Sequence, residues 1–223
     1  MSTIAIKFYQ QINEITSSLI SVSLSQEQNF PSLKDGVIYI KDKLDLSISL
    51  KNIKYSEIYT ELEKNKNFNF KLIDGALIQM MYTFHDNELI KYRLAFFPSP
   101  TLEAYQQSPE VYEEDEIYAD ILLKSIMPTP IRFDFDPASA TELNHPTSHL
   151  TIGHYKNCRI PVFGVMTPNM FMDFILRNFY HVAKNKFSNH FEFKLDKHLP
   201  DCISEIEKKV LHLNVSTPLF SSD

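Results

Sequence analysis

Glycine, cysteine and basic charge are all scarce in this chain, and each shortage removes a class of function. Only four glycines occur in 223 residues, and neither G-x-G-x-x-G nor G-x-x-x-x-G-K-[ST] is present, so nucleotide binding through those phosphate-cradling loops is excluded. The two cysteines, Cys158 and Cys202, lie far apart without C-x-x-C spacing. That usage fits a reduced cytoplasmic protein better than a disulfide scaffold, and a single bridge stays open. A formal charge of −6 repels nucleic acid and acidic membranes, so nucleic-acid contact would need a local basic site. The stretch Met1 to Gln11 lacks a basic region followed by an apolar one, and no apolar run approaches membrane-spanning length. The expectation is a soluble cytoplasmic protein with no membrane partner.

What is present is apolar side chain, 43% hydrophobic and 13% aromatic, enough to offset the entropy of ordering the backbone. Phe8, Ile12, Ile15, Leu19 and Val22 recur at helical spacing, which predicts an amphipathic helix over about residues 4–23. Its apolar stripe is expected to dock on the chain's own sheet, with a helix-mediated homodimer as the alternative. Gly36 to Ile40 reads as a strand, Leu44 to Leu50 alternates as a half-buried strand, and a short helix follows from Tyr55 to Lys64. Ile78, Met80, Tyr82 and Phe84, then a turn at His85 to Glu88, then Ile90, Tyr92, Leu94 and Phe96 predict a long antiparallel hairpin. The acidic run Glu110 to Asp120 reads as a solvated loop or helix start. Thr167-Pro168 opens a helix expected over about 168–184, Phe191 to Leu195 reads as a strand, and Asp201 is placed to cap a last helix over about 201–212. The predicted architecture is a single α+β domain spanning residues 1–223, mainly an antiparallel sheet with a long hairpin and several packed helices.

The segment richest in chemistry lies within the central sheet, about residues 76–165. In Ile131-Arg-Phe-Asp-Phe-Asp136 a period of two sets Ile131, Phe133 and Phe135 on one face and Arg132, Asp134 and Asp136 on the other. A second strand around Ser148 to Ile152 alternates so that His149 and Thr151 share a face. Antiparallel pairing of the two would gather Arg132, Asp134, Asp136, His149 and Thr151, with His145 at the mouth of the connecting loop and His154 and Arg159 beyond it. A carboxylate that sets an imidazole's basicity, beside an arginine that neutralises an oxyanion, suits general acid–base or phosphoryl-transfer chemistry. An ordinary solvent-facing strand with cross-strand ion pairs is the competing reading. Asp134 and Asp136 are the candidate ligands should a divalent metal be used. The proline and β-branched residues around His145 and His149 argue against a helical zinc pair, and no second copy of the His149-Leu-Thr-Ile152 pattern supports a paired phosphoesterase motif. On the helix after Thr167, Asp173, Arg177 and His181 form a polar stripe, and Arg177 becomes an anion anchor if that stripe lines the same cleft.

The runs Arg132-Phe-Asp-Phe-Asp-Pro137, His145-Pro-Thr-Ser-His-Leu-Thr-Ile-Gly153, Cys158-Arg-Ile-Pro161, Thr167-Pro and Arg177-Asn-Phe-Tyr180 resemble a bacterial family catalogued as a conserved protein of unknown function. More loosely, a strand bearing Arg-aromatic-Asp followed by spaced histidines is similar to small proteins of bacterial toxin–antitoxin and defence loci, some of them thought to attack RNA. Two readings follow. One is a phosphodiester-directed, nuclease- or toxin-like enzyme with His149 or His145 as general acid or base and Asp134 and Asp136 orienting it or binding metal. In that reading Arg132 or Arg159 stabilises negative charge, and Thr151 and Arg177 contact substrate. The other is a non-catalytic accessory subunit, partnered by itself or by a protein of the same locus, in which the Arg/Asp/His group cross-links the sheet.

Overall fold

Alternation of apolar side chains with a period of two builds the centre of this molecule, and helices close over the faces so formed. The computed structural model describes residues 3–40, 53–101, 109–118, 120, 128–153, 155, 157–193 and 201–215. Among these, nine strands form one sheet: β1 (Ser25–Gln28), β2 (Ser32–Lys34), β3 (Val37–Tyr39), β4 (Phe70–Leu72), β5 (Leu77–His85), β6 (Glu88–Phe97), β7 (Ile131–Phe135), β8 (Ser148–Ile152) and β9 (Ile160–Pro161). The order is β1-β4-β5-β6-β7-β8-β9; β3 pairs with the distal part of β5, and β2 with β3. Every pairing is antiparallel. The chain is a single α+β domain.

The β5–β6 hairpin closes through Asp86 and Asn87, both at positive φ (45° and 70°), the backbone that a tight two-residue turn requires and that Asp and Asn tolerate. From this hairpin the first sheet face extends through Ile78, Met80, Tyr82, Tyr92, Leu94, Phe96, Phe133, Phe135 and Leu150, all buried in the main core. Helix α1 (Thr3–Ser21) covers it with Phe8, Ile12, Ile15 and Leu19. Phe8 meets Tyr82 and Phe84 edge-on, with ring centroids 4.9 and 5.4 Å apart, so the apolar stripe of α1 is used within the chain. Helix α4 (Pro168–Phe179) lies on the same face, Phe171 and Phe174 packing edge-on against Phe133. Its start is set by Thr167, whose hydroxyl accepts the Met170 amide at 3.2 Å. The second face is covered at one end by α2 (Tyr55–Lys64), where Ile58, Tyr59 and Leu62 pack with Leu77, Ala95 and Phe97.

Three stretches differ from the sequence expectation. The helix expected to reach residue 184 breaks at Tyr180 (φ −137°, ψ 47°) and resumes as α5 (His181–Lys186). Tyr180 is buried, and its hydroxyl donates to the Asp74 carboxylate, 2.9 and 2.8 Å from the two oxygens; a long-range anchor decides the geometry there. The helix expected over 201–212 is replaced by irregular chain with a turn that leads into one 3₁₀ turn at Glu207–Lys209. Bridges Gly164↔Asp201 and Val162↔Leu213 hold this segment beside the residues that follow β9, and the buried Glu207 carboxylate accepts the amides of Leu143 and Ser204. Phe191 to Phe193 belong to no strand, while residues 194–195 and the alternating segment 44–50 lie outside the described residues. The acidic run contains a short helix, α3 (Pro109–Glu114), and a 3₁₀ turn at Glu116–Tyr118. Its acids have structural work: Lys186 lies 3.0 Å from Asp115 and 3.5 Å from Glu116, and Asp120 accepts the Val182 amide at 2.7 Å, so the run secures α5.

Gly36 adopts φ +79° against β5, and a Cβ there would stand 2.4 Å from the Phe84 carbonyl oxygen. Gly36→Ala is therefore expected to destabilise the fold by roughly 2 kcal/mol or more in urea unfolding. Gly153→Ala, at φ +65° but with no neighbour closer than 3.4 Å, should cost only about 1 kcal/mol.

Candidate functional site

The register across three strands places the ionisable residues. Arg93 on β6 pairs with Asp134 on β7, which pairs with His149 on β8; in the next row Ala95 pairs with Arg132, and Arg132 with Thr151. Because neighbours one residue along each strand point the other way, Arg93, Arg132, Asp134, His149 and Thr151 all lie on the second face, opposite the aromatic core. Arg132, Asp134, His149 and Thr151 are thus brought together. Arg93 was missed in the sequence. Alternation with Tyr92 and Leu94 puts it on this face, but only the β6–β7 register ties it to Asp134.

Asp134 is the hub. Its two oxygens accept from different guanidinium groups, Oδ1 from Arg93 Nε at 2.9 Å and Oδ2 from Arg132 Nε at 2.5 Å. The residue is 8% exposed. Burial pushes its acidity down, but the charges and hydrogen bonds of Arg132 and Arg93 outweigh it and hold the carboxyl below its ordinary value. It is a fixed anion at neutral pH.

His149 is 2% exposed. Its Nδ1 lies 2.8 Å from the Pro146 carbonyl oxygen, which only accepts, so the ring proton sits on Nδ1. Nε2 points toward Asp134 Oδ2 at 3.9 Å, beyond hydrogen-bond distance. Burial lowers the histidine's pKa; the Pro146 carbonyl and Asp134 oppose the shift, and His145 and Arg159 add to it. The imidazole is therefore neutral, with its lone pair on Nε2. The His145 ring packs edge-on against it, centroids 4.8 Å apart, and the buried Nδ1 of His145 has no hydrogen-bond partner. Arg159 Nη1 donates to the Asn144 carbonyl at 3.2 Å, on the flank of these two rings.

Two expected residues do not join the group. Asp136 stands one residue past β7 and pairs with Lys91 at 2.5 Å. Arg177 is on α4, which covers the opposite face of the sheet, and pairs with Asp173 at 3.0 Å. His154 lies outside the described residues. Among the described residues no group of three or more His, Cys, Asp or Glu is arranged to hold a metal, and both Asp134 and Asp136 already face cations. An open cleft of about 620 Å³ lies elsewhere, lined by Thr3, Asp35, Gly36 and the hairpin turn Phe84 to Asn87, and contains none of the expected site residues.

Residues 24–215 match the model of a family described as uncharacterized conserved protein (DUF2290), and the chain belongs to that family. No curated protein and no solved structure matches it.

Removing the hub carboxylate leaves two guanidinium groups facing each other in a poorly solvated place, so Asp134→Asn is expected to cost about 3 kcal/mol at neutral pH. The shifts of Asp134 and His149 run the same way. Asp134 and His149 titrate lower in the folded chain than in the unfolded one, so the unfolded state binds more protons as pH falls and stability drops. The loss begins near the unfolded histidine value of about 6.5 and steepens below the unfolded carboxyl value of about 3.9. His149→Gln should flatten the upper part of that slope in urea midpoints taken from about pH 7 to about pH 4; an unchanged slope would remove His149 as its source.

Proposed function

We propose that this chain is a binding component, an accessory or interaction subunit whose second sheet face recognises a ligand while the Arg93–Asp134–Arg132 network keeps that face rigid. One observation carries the reading: the carboxylate that a catalytic His149 would rely on is already held by two guanidinium groups, and the imidazole beside it is 2% exposed. A general base has to approach the proton it removes to within about 3 Å, and a ring so enclosed offers a substrate little approach. Polar networks of this kind are costly to leave half satisfied; fully satisfied, they hold strands in one register. A subunit of a defence or toxin–antitoxin complex is a setting this reading fits.

A second reading keeps the phosphodiester-directed enzyme, because His149 is neutral with an unprotonated Nε2 close to arginines. There His149 is the base, with His145 beside it, and Arg132 or Arg159 stabilises developing negative charge. The two readings separate in one assay. Full-length protein incubated with RNA and with DNA, with and without Mg²⁺ or Mn²⁺, is expected to show no cleavage. Cleavage by the wild type that disappears in a folded His149→Ala variant would replace the binding reading with the enzyme.

A further inference from the structure

The binding reading leaves open what the second face takes, and the distribution of unpartnered polar atoms narrows it. Thr151 is 7% exposed and its hydroxyl has no hydrogen-bond partner, a state that is costly unless something completes it. The hydroxyl lies in a defined row. Arg132 is its cross-strand partner on β7. On the other side Leu150 pairs with Ile160, so continuing the antiparallel register by one residue sets Arg159 opposite Thr151. A buried hydroxyl with an open donor thus stands in a row between two arginine positions.

Neither arginine is fully used by the described residues. Arg132 gives Nε to Asp134, and the carboxylate it addresses is shared with Arg93. Arg159 donates to a neutral carbonyl, that of Asn144, and has no carboxylate partner among the described residues. Close by, the buried His145 Nδ1 is also without a partner, its ring against that of His149. Two arginines, an unpartnered hydroxyl and an unpartnered imidazole nitrogen therefore lie on neighbouring segments, and neither unpartnered atom meets an anion among the described residues. Donors approaching from two strands and a loop suit a group with acceptors in several directions, and guanidinium is the side chain best matched to such an oxyanion.

We propose that Arg132, Arg159 and Thr151, with His145 on the neighbouring loop, form a binding site for a phosphate group carried as inorganic phosphate or as a small phosphate monoester. This rests on the binding reading above and names its ligand class. A small ligand is preferred to a nucleic-acid backbone because the chain's charge of −6 opposes a polyanion while one local pair of arginines still accepts a single group.

The test is calorimetric titration of the full-length protein with sodium phosphate and, separately, with glycerol phosphate, against sodium chloride and sodium acetate at matched ionic strength. Saturable binding of one or both phosphates is expected, weakened at least about tenfold in Arg159→Gln and in Thr151→Val. Thr151→Val should melt no lower than the wild type without phosphate, since it removes an unpartnered hydroxyl at nearly constant volume, and this separates lost binding from lost folding. Absence of saturable binding up to about 10 mM phosphate, equal binding in both variants, or acetate binding as tightly as phosphate overturns the proposal. If phosphate fails while RNA and DNA stay intact, the ligand class is wrong and the non-catalytic reading stands; if nucleic acid is cleaved, the non-catalytic reading itself falls.

Discussion

Asp134 sits between two arginines on a middle strand of the sheet, and the second face is organised around keeping that carboxylate charged. A buried carboxylate without partners would take up a proton instead of remaining an anion. Here Arg93 approaches from β6 and Arg132 from β7, the strand that carries Asp134, each engaging a different oxygen. The network links two strands directly, and His149 on β8 adds a third neighbour, so a one-residue slip of β7 would send Asp134 into the aromatic core and Phe133 to the polar side. The pairing of these strands is thereby specified twice, once by burial of Phe133 and Phe135 and once by the ion network.

This arrangement explains why one sheet carries such unlike faces. The first is a continuous apolar layer beneath α1 and α4, in which aromatic rings meet edge-on or stacked across β5, β6 and β7. The second carries an apolar patch beneath α2, where Ile58, Tyr59 and Leu62 pack with Leu77, Ala95 and Phe97, and turns polar toward β8. A net stabilising contribution from the ion network is not implied, since desolvating three charges offsets much of their attraction. Its clearer consequence is specificity: it fixes which charged groups stand next to His149, whose ring is kept neutral by burial and tethered through Nδ1 to the Pro146 carbonyl.

Positions far apart in sequence also show charge used for assembly. Asp115, Glu116 and Asp120, which read as solvated, hold α5 through Lys186 and the Val182 amide. Asp173 faces both Arg177 and Lys184, closing a polar cluster on the outer side of the helical layer. Arg177 therefore serves the α4–α5 junction, with the whole sheet between it and His149.

Much of this was legible before any coordinates. A period of two in Ile131 to Asp136 and in Ser148 to Ile152 is enough to assign faces, because side chains of a strand alternate whatever surrounds them. The hairpin followed from the same rule plus Asp86-Asn87, residues that accept positive φ. Tertiary structure alone decided the rest: that β6 brings Arg93 to Asp134, that α4 lands on the far face and removes Arg177 from the group, and that residues 201–215 run as irregular chain bridged to the residues after β9 instead of forming an α-helix. The physical reason is common to all three. Alternation and capping are local properties of a few neighbouring residues, whereas register between strands, the side on which a helix docks and the fate of a weakly helical tail depend on contacts between segments far apart along the chain.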